Sequence, residues 1–190
     1  YHSALEPVPR PDESAEEYVT HVSLAKIQSV ITYLRNAVVL GADTVVVHDS
    51  EILGKPKSKH QAAKMLRDLR NQTHRVVTGV AIVDSESDTS LSLSISTKVI
   101  MRRYSDKELE TYVSTGEPMD KAGAYAIQDP AFHPVELIDG CYLNVVGLPV
   151  CEVVELLSHI GTQTQLSTTW QPPSECIECP LRSTNKVILK

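Results

Sequence analysis

The sequence has few of the features that mark several large classes of protein. Of its 190 residues, only one is Phe and one is Trp, so its core must consist mainly of Val, Leu, Ile and Ala. No run of about 18 apolar residues occurs, which argues against a membrane span. The stretch "YHSALEPVPRPDESAEEY" contains no apolar segment of the signal-peptide type. We therefore expect a cytoplasmic protein without a membrane partner.

An excess of positive charge is also missing. The formal net charge is −6, and acidic and basic residues are mixed along the chain. Binding to nucleic acid requires a basic face, so a nucleic-acid partner is not expected. One small anionic ligand held by a few local lysines remains compatible with this composition. The 4 cysteines are too few and too unevenly placed for a disulfide framework.

Several nucleotide-binding and hydrolase motifs are absent. The chain has no G-x-x-x-x-G-K-[ST], no G-x-G-x-x-G and no G-x-S-x-G, so a P-loop kinase, a Rossmann dehydrogenase and a serine hydrolase all lose support. Cys176 and Cys179 in "CIEC" have a spacing that zinc sites use. A structural zinc needs four ligands, and no second pair with matching spacing occurs. A zinc-binding interaction protein that uses this tail is therefore the weakest reading.

The pattern of the chain predicts alternating helices and strands in one α/β domain over residues 1–161. Capping boxes at Ser14–Glu17, Ser58–Gln61 and Ser105–Glu108 predict three helix starts. A further helix is expected at about 149–160. Strands are predicted for "AVVLGADTVVV", interrupted at Gly41 to Asp43, for the hairpin "HRVVTGVAIVD" and "LSLSISTKVIM", for "KAGAYAIQ" and for "VELIDG". We expect a mixed twisted sheet with flanking helices, and a tail over residues 162–190 with little structure of its own.

Asp43 is unusual because it lies within an apolar run. A carboxylate there is costly to bury unless it is paired or binds a metal. An interruption at Gly41 and Ala42 would bring Asp43 to the end of a short strand, where α/β sheets bind ligands. The alternative is an Asx-turn, in which Asp43 bonds its own backbone near Thr44.

Two lysines and a glutamine are candidate ligand-binding residues. Lys55 lies in a Gly-Lys-Pro loop that suits a phosphate, although it could be an ordinary turn lysine. Lys26, near the buried edge of the first helix, could point into the same cleft as Asp43 or simply extend to water. Gln128 ends "KAGAYAIQ" and could contact a base edge or a water, and Lys121 offers another cation.

Four stretches, taken in order, resemble the Maf family, also called septum formation inhibitor proteins. The resemblance runs from about Glu13 to Gly161, and it rests on "GADTVVVHDSEILGKP", "AAKMLRDLRNQTHRVVTGVAI", "GEPMDKAGAYAIQ" and "GCYLNVVGLP". It implies the inosine-triphosphatase-like α/β fold. It also implies a nucleoside triphosphate pyrophosphatase that uses Mg²⁺ or Mn²⁺ and commonly forms a homodimer.

The resemblance also assigns roles to individual residues. It implies that Asp43 is the essential aspartate, which binds the metal or activates water. Lys26 and Lys55 match the two lysines of the family's cleft, and Gln128 matches its glutamine. Thr78, in "VVTG", falls where the family has a threonine beside the site.

Three stretches, "GADTVV", "THRVVTG" and "AYAIQ", are similar to the branch that prefers dTTP, UTP and related pyrimidine nucleotides. "DPAFHP" departs from the family, because a Gly-rich segment is usual at this place. Nothing before Glu13 resembles the family's Ser-x-x-Arg-Arg loop, which binds phosphates. The leading hypothesis is therefore a pyrophosphatase, and the alternative is a non-catalytic nucleotide-binding or regulatory protein that has lost this loop.

Overall fold

The fold is a five-stranded sheet with helices on both faces. The computed structural model describes residues 7–87, 89–162 and 173–176. The helices are α1 (Ala15–Ile31), α2 (Lys59–Leu69), α3 (Asp106–Thr115), α4 (Tyr142–Val146) and α5 (Val150–His159). The strands are β1 (Val38–His48), β2 (Glu51–Leu53), β3 (Thr73–Asp84), β4 (Thr89–Met101) and β5 (Val135–Asp139), in the spatial order β2-β1-β3-β4-β5. The predicted α/β class with flanking helices is confirmed.

The helix starts follow from local sequence. Ser14 and Ser105 each cap a helix and form a reciprocal capping box with Glu17 and Glu108. Ser58 accepts a hydrogen bond from the Gln61 backbone, but the Gln61 side chain accepts from the amide of Lys57 instead of Ser58. All three predicted starts and the predicted helix at about 149–160 are confirmed.

The sheet is antiparallel at every junction between described strands, whereas the sequence pattern predicts a mixed sheet. The hairpin of β3 and β4 is confirmed, with pairs from Asp84↔Thr89 to Thr73↔Ile100. The antiparallel pairing of β1 with β3 arises because β2 reverses the chain before α2 begins. One helix between two strands favours a parallel pair, but a reversal plus a helix returns β3 beside β1 in the opposite sense.

β1 is continuous from Val38 to His48, so the predicted interruption at Gly41 to Asp43 is wrong. The glycine provides space for α1. A Cβ atom on Gly41 would lie 2.4 Å from the Ser23 carbonyl oxygen and 2.9 Å from Ile27 Cγ1. Gly79, opposite Asp43 on β3, is covered by α1 in the same way. Two glycines therefore let α1 lie directly on the sheet beside Asp43.

The predicted strand "KAGAYAIQ" is also wrong. Residues Glu117–Asp120 and Ala122–Ala124 form 3-10 turns, and Gly123, inside the second turn, has a non-helical φ of 68°. The small residues allow close packing here, because a Cβ atom on Gly123 would lie 2.8 Å from Val46 Cγ2. This segment lies across one face of β1 instead of joining the sheet.

The core consists mainly of aliphatic side chains on both faces of the sheet, as the composition predicts, together with a smaller number of aromatic ones. One layer joins α1 to β1 and β3 through Val19, Val22, Val45 and Val77. The other joins the opposite face to α2 and α3 through a larger cluster that includes Leu66, Leu69, Val76, Val99 and Leu109. Burial of each such side chain stabilises the fold by about 1.5–3 kcal/mol relative to exposure. Among the described residues, no helix is both long enough and apolar enough to cross a bilayer.

Phe132, the one phenylalanine of the chain, occupies the second of these layers. Its ring stacks on Tyr112 at a centroid distance of 4.4 Å. The Asp129 carboxylate accepts hydrogen bonds from the amides of Ala131 and Phe132, which folds "DPAFHP" into a turn. The segment that departs from the family pattern is thus anchored by its own aromatic residue.

Candidate active site

A polar cleft lies between β1, the Gly-Lys-Pro loop, residues 120–128 and α4. Its volume is about 430 Å³. Five charged side chains line it, namely Lys26, Asp43, Lys55, Asp120 and Lys121. Three cations and two carboxylates in one concave site suit an anionic ligand such as a phosphorylated molecule.

Asp43 and Lys26 form an ion pair at the edge of the cleft. Lys26 Nζ donates to Asp43 Oδ1 at 2.6 Å and to the carbonyl oxygen of Ala42 at 3.1 Å. The Lys26 side chain is 31% exposed and the Asp43 side chain is 13% exposed, so the pair is partly shielded but remains open to the cleft. Asp43 lies in strand backbone and not in a turn, which contradicts the Asx-turn interpretation. The cation of Lys26 offsets the cost of placing a carboxylate in an apolar strand.

Lys55 reaches the cleft from the loop that follows β2. The amide of Gly123 donates to the carbonyl oxygen of Gly54 at 3.2 Å, which fixes this loop against the opposite wall. The hydrogen bond from Lys121 is the main cause that lowers the pKa of Asp120, and the charge of Lys55 makes a small further contribution in the same direction. Lys55 is exposed and lines the cavity, so it is accessible to a ligand.

Gln128 and Lys121 lie on the same wall. Lys121 Nζ donates to Asp120 Oδ1 at 2.7 Å. Gln128 is exposed at the cleft and interacts with the hydroxyl of Tyr142. Burial is the main cause that raises the pKa of Tyr142, so this hydroxyl remains protonated at neutral pH. The neutral Gln128 amide can both donate to and accept from a ligand.

Thr78 lies behind the cleft rather than in its lining. It is fully buried, and its hydroxyl is 2.8 Å from the hydroxyl of Thr44, which does line the cleft. Thr78 also donates to the backbone carbonyl of Asn144 at 3.2 Å. The side-chain amide of Asn144 in turn donates from Nδ2 to Thr97 Oγ1 at 2.9 Å. This chain of polar contacts connects the central strands to α4, which forms the far wall of the cleft.

The fold therefore brings to one cleft five residues that the sequence indicates: Lys26, Asp43, Lys55, Lys121 and Gln128. The sequence does not indicate Asp120, Tyr125 or Thr44. Asp120 precedes a lysine in an ordinary polar stretch, and only its proximity to Lys55 gives it significance. Tyr125 and Thr44 resemble core and strand residues, so no local signal identifies them.

The "CIEC" hypothesis falls partly outside the described residues. Cys179 is not among them, whereas Cys176 is described and is buried. Within residues 7–87, 89–162 and 173–176, no group of three or more His, Cys, Asp or Glu side chains is arranged to hold a metal ion. The zinc interpretation stays a prediction, as does the division into a domain and a tail at residue 161.

The fold and the cleft define an α/β protein with a lysine-rich site for an anionic ligand. A family model described as Maf-like protein matches residues 2–160. The chain therefore belongs to the Maf family, and the match begins earlier than the motifs alone indicate.

Relatives named dTTP/UTP pyrophosphatase are similar over most of the chain. The protein of Dictyoglomus turgidum is 47% identical over 148 residues, which cover 78% of this chain and 77% of the relative. That of Geobacter sulfurreducens is 46% identical over 153 residues, covering 80% of each. That of Dehalococcoides mccartyi is 42% identical over 159 residues, covering 84% of this chain and 71% of the relative.

Proposed function

We propose that this chain is a nucleoside triphosphate pyrophosphatase that hydrolyses dTTP or UTP to the nucleoside monophosphate and pyrophosphate. The observation that carries the proposal is the convergence of Asp43, Lys26, Lys55 and Gln128 on one cleft. The names of the relatives support the reaction and the pyrimidine preference. The volume of about 430 Å³ is in the range of pockets that hold small ligands.

The reaction requires water to bond to the α-phosphorus while the bond to the β-phosphate oxygen breaks. Asp43 lines the cleft, and in this proposal its carboxylate accepts the proton of this water, which then passes to solvent. Lys26 and Lys55 bind phosphate oxygens and stabilise the charge that develops on the departing pyrophosphate. Gln128 contacts the nucleotide or orients the water.

A divalent cation fits the donor set of this cleft. Mg²⁺ prefers oxygen ligands and is usually held by one or two carboxylates together with substrate phosphates. Asp43 supplies such a carboxylate, and Asp120 places a second one on the opposite wall. When bound, Mg²⁺ or Mn²⁺ would neutralise charge on the triphosphate. We propose Asp43 as its ligand from the protein.

Release of pyrophosphate from dTTP, UTP, CTP, 7-methyl-GTP and ITP, with Mg²⁺ and then Mn²⁺, tests this function. We expect dTTP and UTP to be hydrolysed fastest and the rate to vanish with EDTA. Turnover of 7-methyl-GTP alone would contradict the pyrimidine preference. Folded protein that hydrolyses none of the five would contradict the proposed reaction.

Lys55→Ala should weaken triphosphate binding, because it removes a cation from the cleft while leaving the Gly54 contact intact. We expect KM for dTTP to rise by at least about tenfold, since a charge-assisted contact to phosphate stabilises by roughly 1.5–3 kcal/mol. We expect kcat to fall as well, because the proposed role of Lys55 includes the charge on the departing pyrophosphate. Lys57→Ala is the matched control, because Lys57 is exposed and nearby but lies outside the cleft lining. An unchanged KM in Lys55→Ala would remove Lys55 from the site.

From the family resemblance we also propose a cytoplasmic homodimer whose ligand is a nucleotide and not a nucleic acid. Light scattering coupled to size-exclusion chromatography tests the assembly. A monomer at all concentrations would contradict it.

A further inference from the structure

The cleft-wall segment, residues 120–128, forms one side of the cleft without belonging to the sheet. Lys121, Tyr125 and Gln128 of this segment line the cavity. Its backbone is irregular, and Gly123 and Ala124 both have left-handed angles, with φ of 68° and 64°. This conformation is unfavourable for alanine, so contacts from outside the segment must hold it in place.

Hydrogen bonds from three different elements attach the cleft-wall segment. The amide of Gly123 donates to Gly54 on the loop after β2, and the amide of Ala126 donates to the Tyr112 hydroxyl on α3. The third bond joins the Tyr125 hydroxyl to His74 Nε2 on β3, at 2.7 Å. This third bond lies between the other two along the segment, midway between Lys121 and Gln128.

His74 is buried and its ring meets Tyr125 edge-on. The side chain is 3% exposed, and the ring centroids are 5.4 Å apart at an interplanar angle of 77°. Burial, with a smaller contribution from His48, lowers the pKa of His74 to about 4, so the ring is neutral at neutral pH. Among the described residues, His74 Nδ1 has no hydrogen-bond partner.

A buried nitrogen without a hydrogen-bond partner, such as His74 Nδ1, is unfavourable. An apolar side chain of similar volume would fill the same space and avoid this cost. What histidine adds at this position is the bond from Nε2 to Tyr125. We propose that His74 is a positioning residue for the reaction, which acts through Tyr125 to hold the cleft-wall segment where Lys121 and Gln128 meet the substrate. The proposal rests on the pyrophosphatase function given above.

The test uses variants that separate the hydrogen bond from the volume of the ring. His74→Leu keeps most of the volume and removes the bond, whereas His74→Gln retains a polar atom that can reach the Tyr125 hydroxyl. We expect His74→Leu to raise KM for dTTP by about tenfold, with kcat changed by less than about threefold, because loss of a binding wall weakens ground-state and transition-state binding alike. His74→Gln should recover most of the affinity.

Tyr125→Phe should raise KM as much as His74→Leu, and the double variant should add little, since both changes remove the same bond. Tyr104→Phe is the matched control, because Tyr104 is also buried but its hydroxyl donates to the Leu66 carbonyl on α2, at 2.6 Å, and not to the cleft-wall segment. The control should lower Tm by a few degrees and leave KM unchanged. Additive effects in the double variant, or an equal rise of KM in Tyr104→Phe, would overturn the proposal.

Hydrogen exchange of a peptide covering residues 120–128 provides a readout that does not depend on turnover. We expect faster exchange in His74→Leu than in the parent or in Tyr104→Phe. If the parent protein hydrolyses no nucleotide, the proposed function fails, but this comparison still decides whether His74 holds the segment. Equal exchange in all three proteins would overturn the proposed positioning role.

Discussion

Asp43→Asn should reduce pyrophosphate release by about 10³-fold, because it removes the carboxylate that we propose as proton acceptor and metal ligand while keeping the shape of the side chain. The amide of asparagine can still accept from Lys26 Nζ, which lies 2.6 Å from Asp43 Oδ1 in the parent protein. The fold should therefore survive. Steady-state rates with dTTP and Mg²⁺, together with Tm, measure the two effects separately.

Asp139→Asn is the matched control for this change. Asp139 is an exposed carboxylate on β5, paired in register with Lys98, and it lies outside the cleft lining. Its substitution should leave the rate within about twofold, since Asp139 is exposed and lies outside the cleft. If Asp43→Asn retained the rate of Asp139→Asn, Asp43 could not be the catalytic carboxylate.

Among substitutions that add a single methyl group near the site, Gly79→Ala should destabilise the fold most. The new Cβ atom would lie 2.4 Å from the carbonyl carbon and oxygen of Val19 and 2.6 Å from the amide nitrogen of Thr20. All three are backbone atoms, so α1 itself must move away from the sheet. We expect a loss of roughly 3 kcal/mol in the free energy of unfolding and a Tm lower by about 10 °C.

Gly54→Ala tests whether the loss comes from the close approach of α1 or from adding a methyl group to any glycine. A Cβ atom at Gly54 meets nothing within 4 Å, so the Tm of this variant should stay close to that of the parent. Chemical denaturation would give the free energies. A Gly79→Ala protein as stable as Gly54→Ala would mean that α1 does not lie against β3 as described.

Local sequence signals predict the elements that depend on local contacts. The capping boxes at Ser14 and Ser105 define helix starts because each satisfies backbone amides within one turn. The hairpin of β3 and β4 likewise follows from two β-branched runs around a short polar turn.

The errors occur where distant contacts decide the backbone. "KAGAYAIQ" has the composition of a buried strand, but the close approach of Gly123 to Val46 and the bond from Tyr125 to His74 impose a different path. Likewise, a glycine within a strand suggests an interruption, but Gly41 lies in a continuous strand, and its missing side chain allows Ser23 and Ile27 of α1 to pack closely against it. In both cases the contacting residues lie outside the local sequence pattern, so that pattern could not indicate the observed backbone path.

The candidate site divides in the same way. Asp43 and Lys55 are conspicuous because each is chemically out of place, one in an apolar run and the other in a Gly-Lys-Pro loop. The resemblance to a family, not the pattern, is what assigns Lys26 and Gln128. The support from His74 becomes visible only in the fold, because His74 and Tyr125 are distant in the chain and each alone resembles a core residue.

The close contact between Gly79 and α1 also has a consequence for the order of folding. The β3–β4 hairpin joins neighbours in the chain, whereas Val19 meets Gly79 across about 60 residues, so closing that loop costs more entropy. The hairpin should therefore form first, with α1 docking after the rate-limiting step. Substitutions in the hairpin should slow refolding, whereas those between α1 and β3 should mainly accelerate unfolding.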